Sequence, residues 1–150
     1  MRQIPNDFFF SWVERELTEG RSVRIRLKGN SMFPLLRNGR DEVILCPCEE
    51  SGLQPMDVVL FRYGGKHLLH RIVRKDGNRL LIQGDGSLVA QEECTVSDVV
   101  GKLQQVIRPS GKIVPVKNWK WQLPSRLWRG LGIFRVPFLR ILRFFMNDCR

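Results

Sequence analysis

Hydrophobic and polar residues alternate strictly over residues 22–28, with Val23, Ile25 and Leu27 on one side and Arg24, Arg26 and Lys28 on the other. Successive side chains of a strand point to opposite faces, so this alternation predicts a half-buried strand. Apolar runs at 42–46 and 57–62 predict a second strand and a third, buried one. Gly64-Gly65 turns the chain into residues 66–74, and Asp76-Gly77 is a strong two-residue hairpin signal that returns it through 79–83. A last pair, 99–107 and 112–116, flanks Pro109-Ser110-Gly111. Strands at short intervals with turn residues between them predict a mainly β, mostly antiparallel domain.

Helical signals lie at the two ends. Asn6 and Asp7 can cap a short helix through residues 8–17, which Gly20 ends. Its aromatic residues Phe8, Phe9, Phe10 and Trp12 read as core or interface. From Trp119 onward Trp and Phe are interleaved with Arg, and Pro137 breaks the helical phase, which predicts two short amphipathic helices. The chain thus divides into a β domain with an N-terminal helix, 1–118, and a basic amphipathic extension, 119–150. The apolar run 131–146 is interrupted by Arg135, Arg140 and Arg143. That falls short of the roughly 20 apolar residues that cross a bilayer.

Charge separates the same two parts. The formal net charge of the 150 residues is +10. Lys and Arg balance Asp and Glu over residues 1–100, whereas residues 101–150 hold 11 Lys and Arg against Asp148 alone. The partner of that charge therefore meets the last third: an anionic membrane surface, nucleic acid or an acidic protein, with the membrane surface ahead and nucleic acid disfavoured because so many Leu, Ile and Phe accompany the arginines. The competing expectation is a helix packed on the β domain with its arginines snorkelling outward. The N-terminal residues show no basic segment leading into an apolar core and a small-residue cleavage site. The expectation is a cytoplasmic or peripherally membrane-associated chain, without a signal peptide or a transmembrane helix. Cys46-Pro47-Cys48 lacks the spacing of a zinc or redox site, so all four cysteines read as free thiols and neither metal nor cofactor is expected.

The candidate chemistry sits in three places. Gly29-Asn30-Ser31-Met32-Phe33-Pro34 is a sharp turn presenting a hydroxyl directly after the first strand. Serine does covalent chemistry only beside a general base. Leu69-His70-Arg71 supplies one, and Gly84-Asp85-Gly86 supplies a carboxylate. With Asp76-Gly77 as the two-residue loop, Lys75 faces Asn78 and His70 faces Gln83, which puts Asp85 diagonally beside His70 on one face. A slip of one residue sends Asp85 to the other face. His67 points away from that face and is the weaker base.

At these residues the chain resembles the signal peptidase I family and the self-cleaving repressors of the same peptidase clan, over about Leu27 to Lys102. Gly29-Asn30-Ser31-Met32-Phe33-Pro34 is similar to the nucleophile box and Pro55-Met56-Asp57-Val58-Val59-Leu60-Phe61 to the strand before the base. Leu69-His70-Arg71 falls where archaeal and endoplasmic reticulum enzymes carry His-Arg. Gln83-Gly84-Asp85-Gly86 resembles the Gly-Asp box and Val99-Val100-Gly101-Lys102 the closing strand. Gly29 stands where bacterial members place a serine that binds the oxyanion, and Met56 stands where a glycine is usual. The resemblance implies a partly open, barrel-like β domain and a serine endopeptidase that needs no cofactor.

The expected roles are Ser31 as nucleophile, His70 as base and then acid, and Asp85 as orienting carboxylate, with Glu92 and Glu93 as rivals for the third place. Gly29, Asn30 and Met32 are the expected substrate and oxyanion positions. The substrate would be an extended leader or signal segment, with small residues before the scissile bond as the resemblance implies. Two alternatives stand beside this one: a cytosolic leader peptidase for ribosomally made peptides, and a non-catalytic membrane-surface or nucleic-acid-binding module on the same fold.

Overall fold

The computed structural model describes residues 6–87 and 89–148; the ends of the two expected parts, residues 1–5 and 149–150 with Cys149, lie outside them. The chain is mainly β, as the alternation predicts. Helix α1 (Asn6–Thr18) precedes strands β1 (Val23–Arg26), β2 (Glu42–Cys46), β3 (Val58–Tyr63), β4 (Lys66–Asp76) and β5 (Arg79–Gln83). Strands β6 (Glu92–Thr95), β7 (Val99–Ile107) and β8 (Ile113–Pro115) follow, then helices α2 (Trp119–Gly130) and α3 (Arg135–Asp148). All pairings are antiparallel, in the order β1-β2-β7-β3-β4-β5-β6 with β8 beside β7. The sheet does not close: β1 and β6 end this path, and β8 pairs on one side only.

Each prediction of a strand from alternation has its counterpart, and β6 is the one that had none. Its sequence, Glu-Glu-Cys-Thr, buries only Cys94 and carries no apolar period. It exists because β5 offers it a paired edge, Leu80 opposite Cys94 and Ile82 opposite Glu92. At the other end of the chain Pro137 does not divide the helices. The break is Leu131–Phe134, where Gly132 takes φ +53, and Pro137 sits in the first turn of α3. A first-turn N–H has no intrahelical partner, so proline costs little there.

Three apolar clusters hold these elements together. The largest lies under α1 and joins Val13 and Leu17 to Val23, Ile25, Met32, Val43, Leu60 and Val106. A second packs Val59, Phe61, Ile72, Leu80, Ile82 and Cys94 on the face of β4 that carries His70. The third joins Phe33 to Trp128 of α2 and Leu139 of α3. Gly20, at φ +86, closes α1, with the Arg21 N–H on Glu16 O and the Gly20 N–H on Leu17 O. Met56 occupies φ +79 after Pro55, with the Asp57 N–H on Gln54 O. That is the geometry in which glycine is preferred, so the turn holds Met56 in a strained backbone conformation.

Asp41 anchors the loop between the serine turn and β2. Fully buried, its carboxylate accepts from the Arg37 N–H, from Arg40 Nε and Nη2, and from Arg108 Nη1 at 2.9–3.1 Å. Burial pushes this carboxyl up, but the bonds from Arg40, Arg37 N–H and Arg108 outweigh it, leaving it below its ordinary value of 3.8. A carboxyl depressed on folding stabilises above its unfolded pKa and loses that contribution as pH falls through the folded one. Asp41→Asn is therefore expected to melt lower than wild type at neutral pH, with the gap narrowing below about pH 4. Melting curves from pH 7 to pH 2 check this, and a gap that stays constant to pH 2 refutes it.

Candidate active site

The turn after β1 is built to expose one hydroxyl. Gly29 takes φ +83 and donates its N–H to Asn38 Oδ1, and Asn30 Oδ1 accepts from the Asn38 N–H. Of the expected substrate and oxyanion positions, Gly29 and Asn30 thus shape the turn. Met32 is buried, with Sδ accepting the Asp85 N–H at 3.4 Å. Ser31 is exposed at the tip. The N–H groups of Ser31 and Met32 form no hydrogen bond among the described residues.

This turn lies across the Gly84-Asp85-Gly86 loop. The Gly86 N–H donates to Ser31 O at 2.8 Å. A Cβ added at Gly84 would stand 2.4 Å from Ser31 O and 3.2 Å from Nε2 and Cδ2 of His70. One at Gly86 would stand 2.7 Å from Asn30 O. Both glycines are therefore required by close approach of backbone, and the first of them sits between the serine turn and the Nε2 edge of the histidine. The Ser31 carbonyl oxygen and the Nε2 edge of His70 thus both lie beside Gly84, and no hydrogen bond joins the Ser31 hydroxyl to His70.

His70 is buried on β4, and its Nδ1 meets Glu92 Oε2 at 3.2 Å. An ionised carboxylate only accepts, so that contact puts the imidazole proton on Nδ1 and leaves the Nε2 lone pair toward the serine side. Phe61 packs at 6.0 Å from the ring centroid. The position expected for Asp85 is corrected. Asp76 pairs with Arg79, so the hairpin loop is Gly77-Asn78, and a bulge at Val73 shifts the ladder again, leaving Arg71 opposite Gln83. The net slip of one residue puts Asp85 on the face of Arg71. There it is fully buried in a two-bond ion pair, Arg71 Nε to Oδ1 at 2.9 Å and Nη2 to Oδ2 at 2.8 Å. Glu93, on the exposed face of β6, makes no contact with His70 among the described residues.

Arg71 is the hub beneath the site. Its Nη1 donates to Met56 O at 3.0 Å and its Nη2 to Ser125 Oγ of α2 at 3.3 Å, with the Trp121 ring 5.7 Å away. Three more bonds tie the helical extension to the same loop. Trp128 Nε1 donates to Asp85 O, Arg129 Nη1 to Gln83 Oε1, and Arg143 Nη2 to Gly86 O. The expectation of a packed helix thus holds for the inner faces of α2 and α3. Sequence patterning had no means of finding this role, since Ser125 and Arg129 carry no signal that distinguishes them from surface residues.

The other chemistry-bearing groups are engaged elsewhere. His67 stacks on Phe10 at 4.5 Å and bonds Glu14 Oε1 at 2.6 Å, which ties β4 to α1. Cys46, Cys48 and Cys94 are free thiols whose pKa burial raises, Cys94 to about 11, so they are protonated and weak nucleophiles at neutral pH. No cluster of three His, Cys, Asp or Glu residues that could hold a metal ion occurs among the described residues. A cleft of about 530 Å³ beside β1 is lined by Arg24, Arg26, Asn38, Arg40, Glu42 and Arg108. Comparison of the chain with protein-family models, with curated proteins and with solved structures gives no match.

Proposed function

We propose that the chain is a serine endopeptidase of signal peptidase type, in which Ser31 is the nucleophile, His70 the general base and Glu92 the carboxylate that orients it. The observation that carries this reading is the His70 ring, held through Nδ1 by Glu92 while its Nε2 edge faces the serine turn across Gly84. Nε2 takes the Ser31 Oγ proton as oxygen attacks the scissile carbonyl, then returns it to the leaving amine. Glu92 stabilises the imidazolium formed in between. The uncommitted N–H of Ser31 is the oxyanion donor. Water then attacks the acyl-enzyme with His70 again as base. The outer edge of β1, unpaired among the described residues and leading into the serine turn, suits an extended peptide added as a further strand.

The missing Ser31–His70 hydrogen bond favours the competing reading, a non-catalytic module on the same fold. Active sites without substrate often hold such pairs loosely, so reactivity decides between the two. Wild type, Ser31→Ala and His70→Ala are incubated with a panel of serine-reactive electrophiles and a degenerate peptide library, with intact-mass and cleavage readouts. The expected result is an adduct on Ser31 and cleavage by wild type only. Neither adduct nor cleavage with wild type overturns the peptidase.

A further inference from the structure

Helices α2 and α3 each carry two apolar faces, and only one of them is used. On α2 the inner residues are Trp121, Ser125 and Trp128, while Trp119, Leu123 and Leu127 repeat every four residues on the outside, with Trp119 at 66% and Leu127 at 62% exposure. On α3 the inner row is Arg135, Leu139, Leu142 and Met146. Its outer side presents Phe138, Ile141, Phe144 and Phe145, all at least half exposed, and Phe134 just before the helix adds to them. A helix that is apolar on nearly all sides is one that is covered on nearly all sides. Large exposed apolar faces of this kind mark interaction surfaces.

Charge identifies what covers them. Lys120 and Arg126 are exposed on either flank of the α2 stripe, and Arg140 and Arg143 are exposed along one flank of α3. No Asp or Glu occurs anywhere from residue 101 to residue 147. A second copy of the chain would bring these cations face to face, and like charges in an apolar contact are costly. A nucleic acid would meet the cations but leave the aromatic and aliphatic rows in water. An anionic lipid surface satisfies both, with apolar side chains at the acyl boundary and cations at the headgroups. No helix among the described residues is long and apolar enough to cross a membrane, so the contact is in the plane of the interface.

We infer that the outward faces of α2 and α3 dock the protein onto an anionic bilayer surface. The inner faces of the same helices hold Gln83, Asp85 and Gly86, so docking would hold the serine turn and its supporting loop at the membrane. The inference does not depend on Ser31 being a nucleophile, and Ser31→Ala should bind vesicles as wild type does.

The test is sedimentation of the full chain with vesicles of phosphatidylglycerol and phosphatidylcholine, against phosphatidylcholine alone, at low and high salt. Wild type is expected in the pellet only with the anionic vesicles, and less so at high salt. Arg126→Gln and Arg140→Gln should each weaken binding about fivefold. Phe138→Ser with Ile141→Ser, checked by melting curves to be folded, should lose at least tenfold. Full-length protein remaining in solution with anionic lipid in excess overturns the inference. So does binding untouched by the Phe138/Ile141 pair, or a solution dimer that the same pair dissociates.

Discussion

Glu92→Gln is expected to lower peptide turnover by about 10⁴-fold while the protein stays folded. The carboxylate accepts from His70 Nδ1 at 3.2 Å, which selects the tautomer with a free Nε2 lone pair and offsets the positive charge that appears on the ring during attack. An amide in its place can donate to Nδ1, stabilising the tautomer whose proton sits on Nε2, where no base remains for Ser31. Only the imidazole's protonation is disturbed, because Glu92 lies on an edge strand and its side chain bears no part of the apolar core. Glu93→Gln, one residue along and pointing outward, should turn over peptide at close to the wild-type rate. Steady-state kinetics of the two variants and their melting curves make the comparison. Equal activity of Glu92→Gln and wild type would remove Glu92 from the mechanism.

Asp85→Asn should fail differently, by loss of stability. Arg71 is 1% exposed and Asp85 is 0% exposed, so the amide leaves a guanidinium charge in the interior without its counter-ion. Removing one partner of such a pair costs about 3–5 kcal/mol, a large part of the stability of a domain of this size. The damage spreads along the bonds that Arg71 and the Asp85 backbone share with Met56, Ser125 and Trp128. Arg71→Lys should not restore what Arg71 provides, since an ammonium cannot make the two parallel bonds to Oδ1 and Oδ2. Denaturant titration should show a lower midpoint for Asp85→Asn, and any folded fraction should retain activity per folded molecule. A normally folded, inactive Asp85→Asn would return Asp85 to the catalytic set.

These two carboxylates mark the boundary between what is local and what is not. The strand residues, the serine turn and the histidine are legible in the sequence because their signals are short-range: period-two alternation at 22–28, paired turn glycines, a hydroxyl after a strand. The Gly-Asp-Gly loop is legible as a loop, though the reason for its glycines is the backbone of residues 30–33 pressed against it. Which acid meets His70 is a matter of register, and register accumulates every slip between two points. Here a loop displaced by one position and a bulge at Val73 sum to a single-residue offset, enough to turn Asp85 to the opposite face.

Strand β6 was invisible for a related reason. An edge strand that buries one side chain has no hydrophobic period of its own and is formed by the partner that it pairs with. The extension after residue 118 reads from composition as a basic amphipathic segment, and its outward faces keep that character. That its inward faces clamp the loop under the serine turn depends on where Trp121, Ser125 and Trp128 land in three dimensions. By itself the sequence determined the strands, the serine turn and the place of His70 on its strand. The carboxylate that meets His70, the fate of Asp85 and the inner role of α2 and α3 were decided by tertiary structure, because each depends on contacts between residues far apart in the chain.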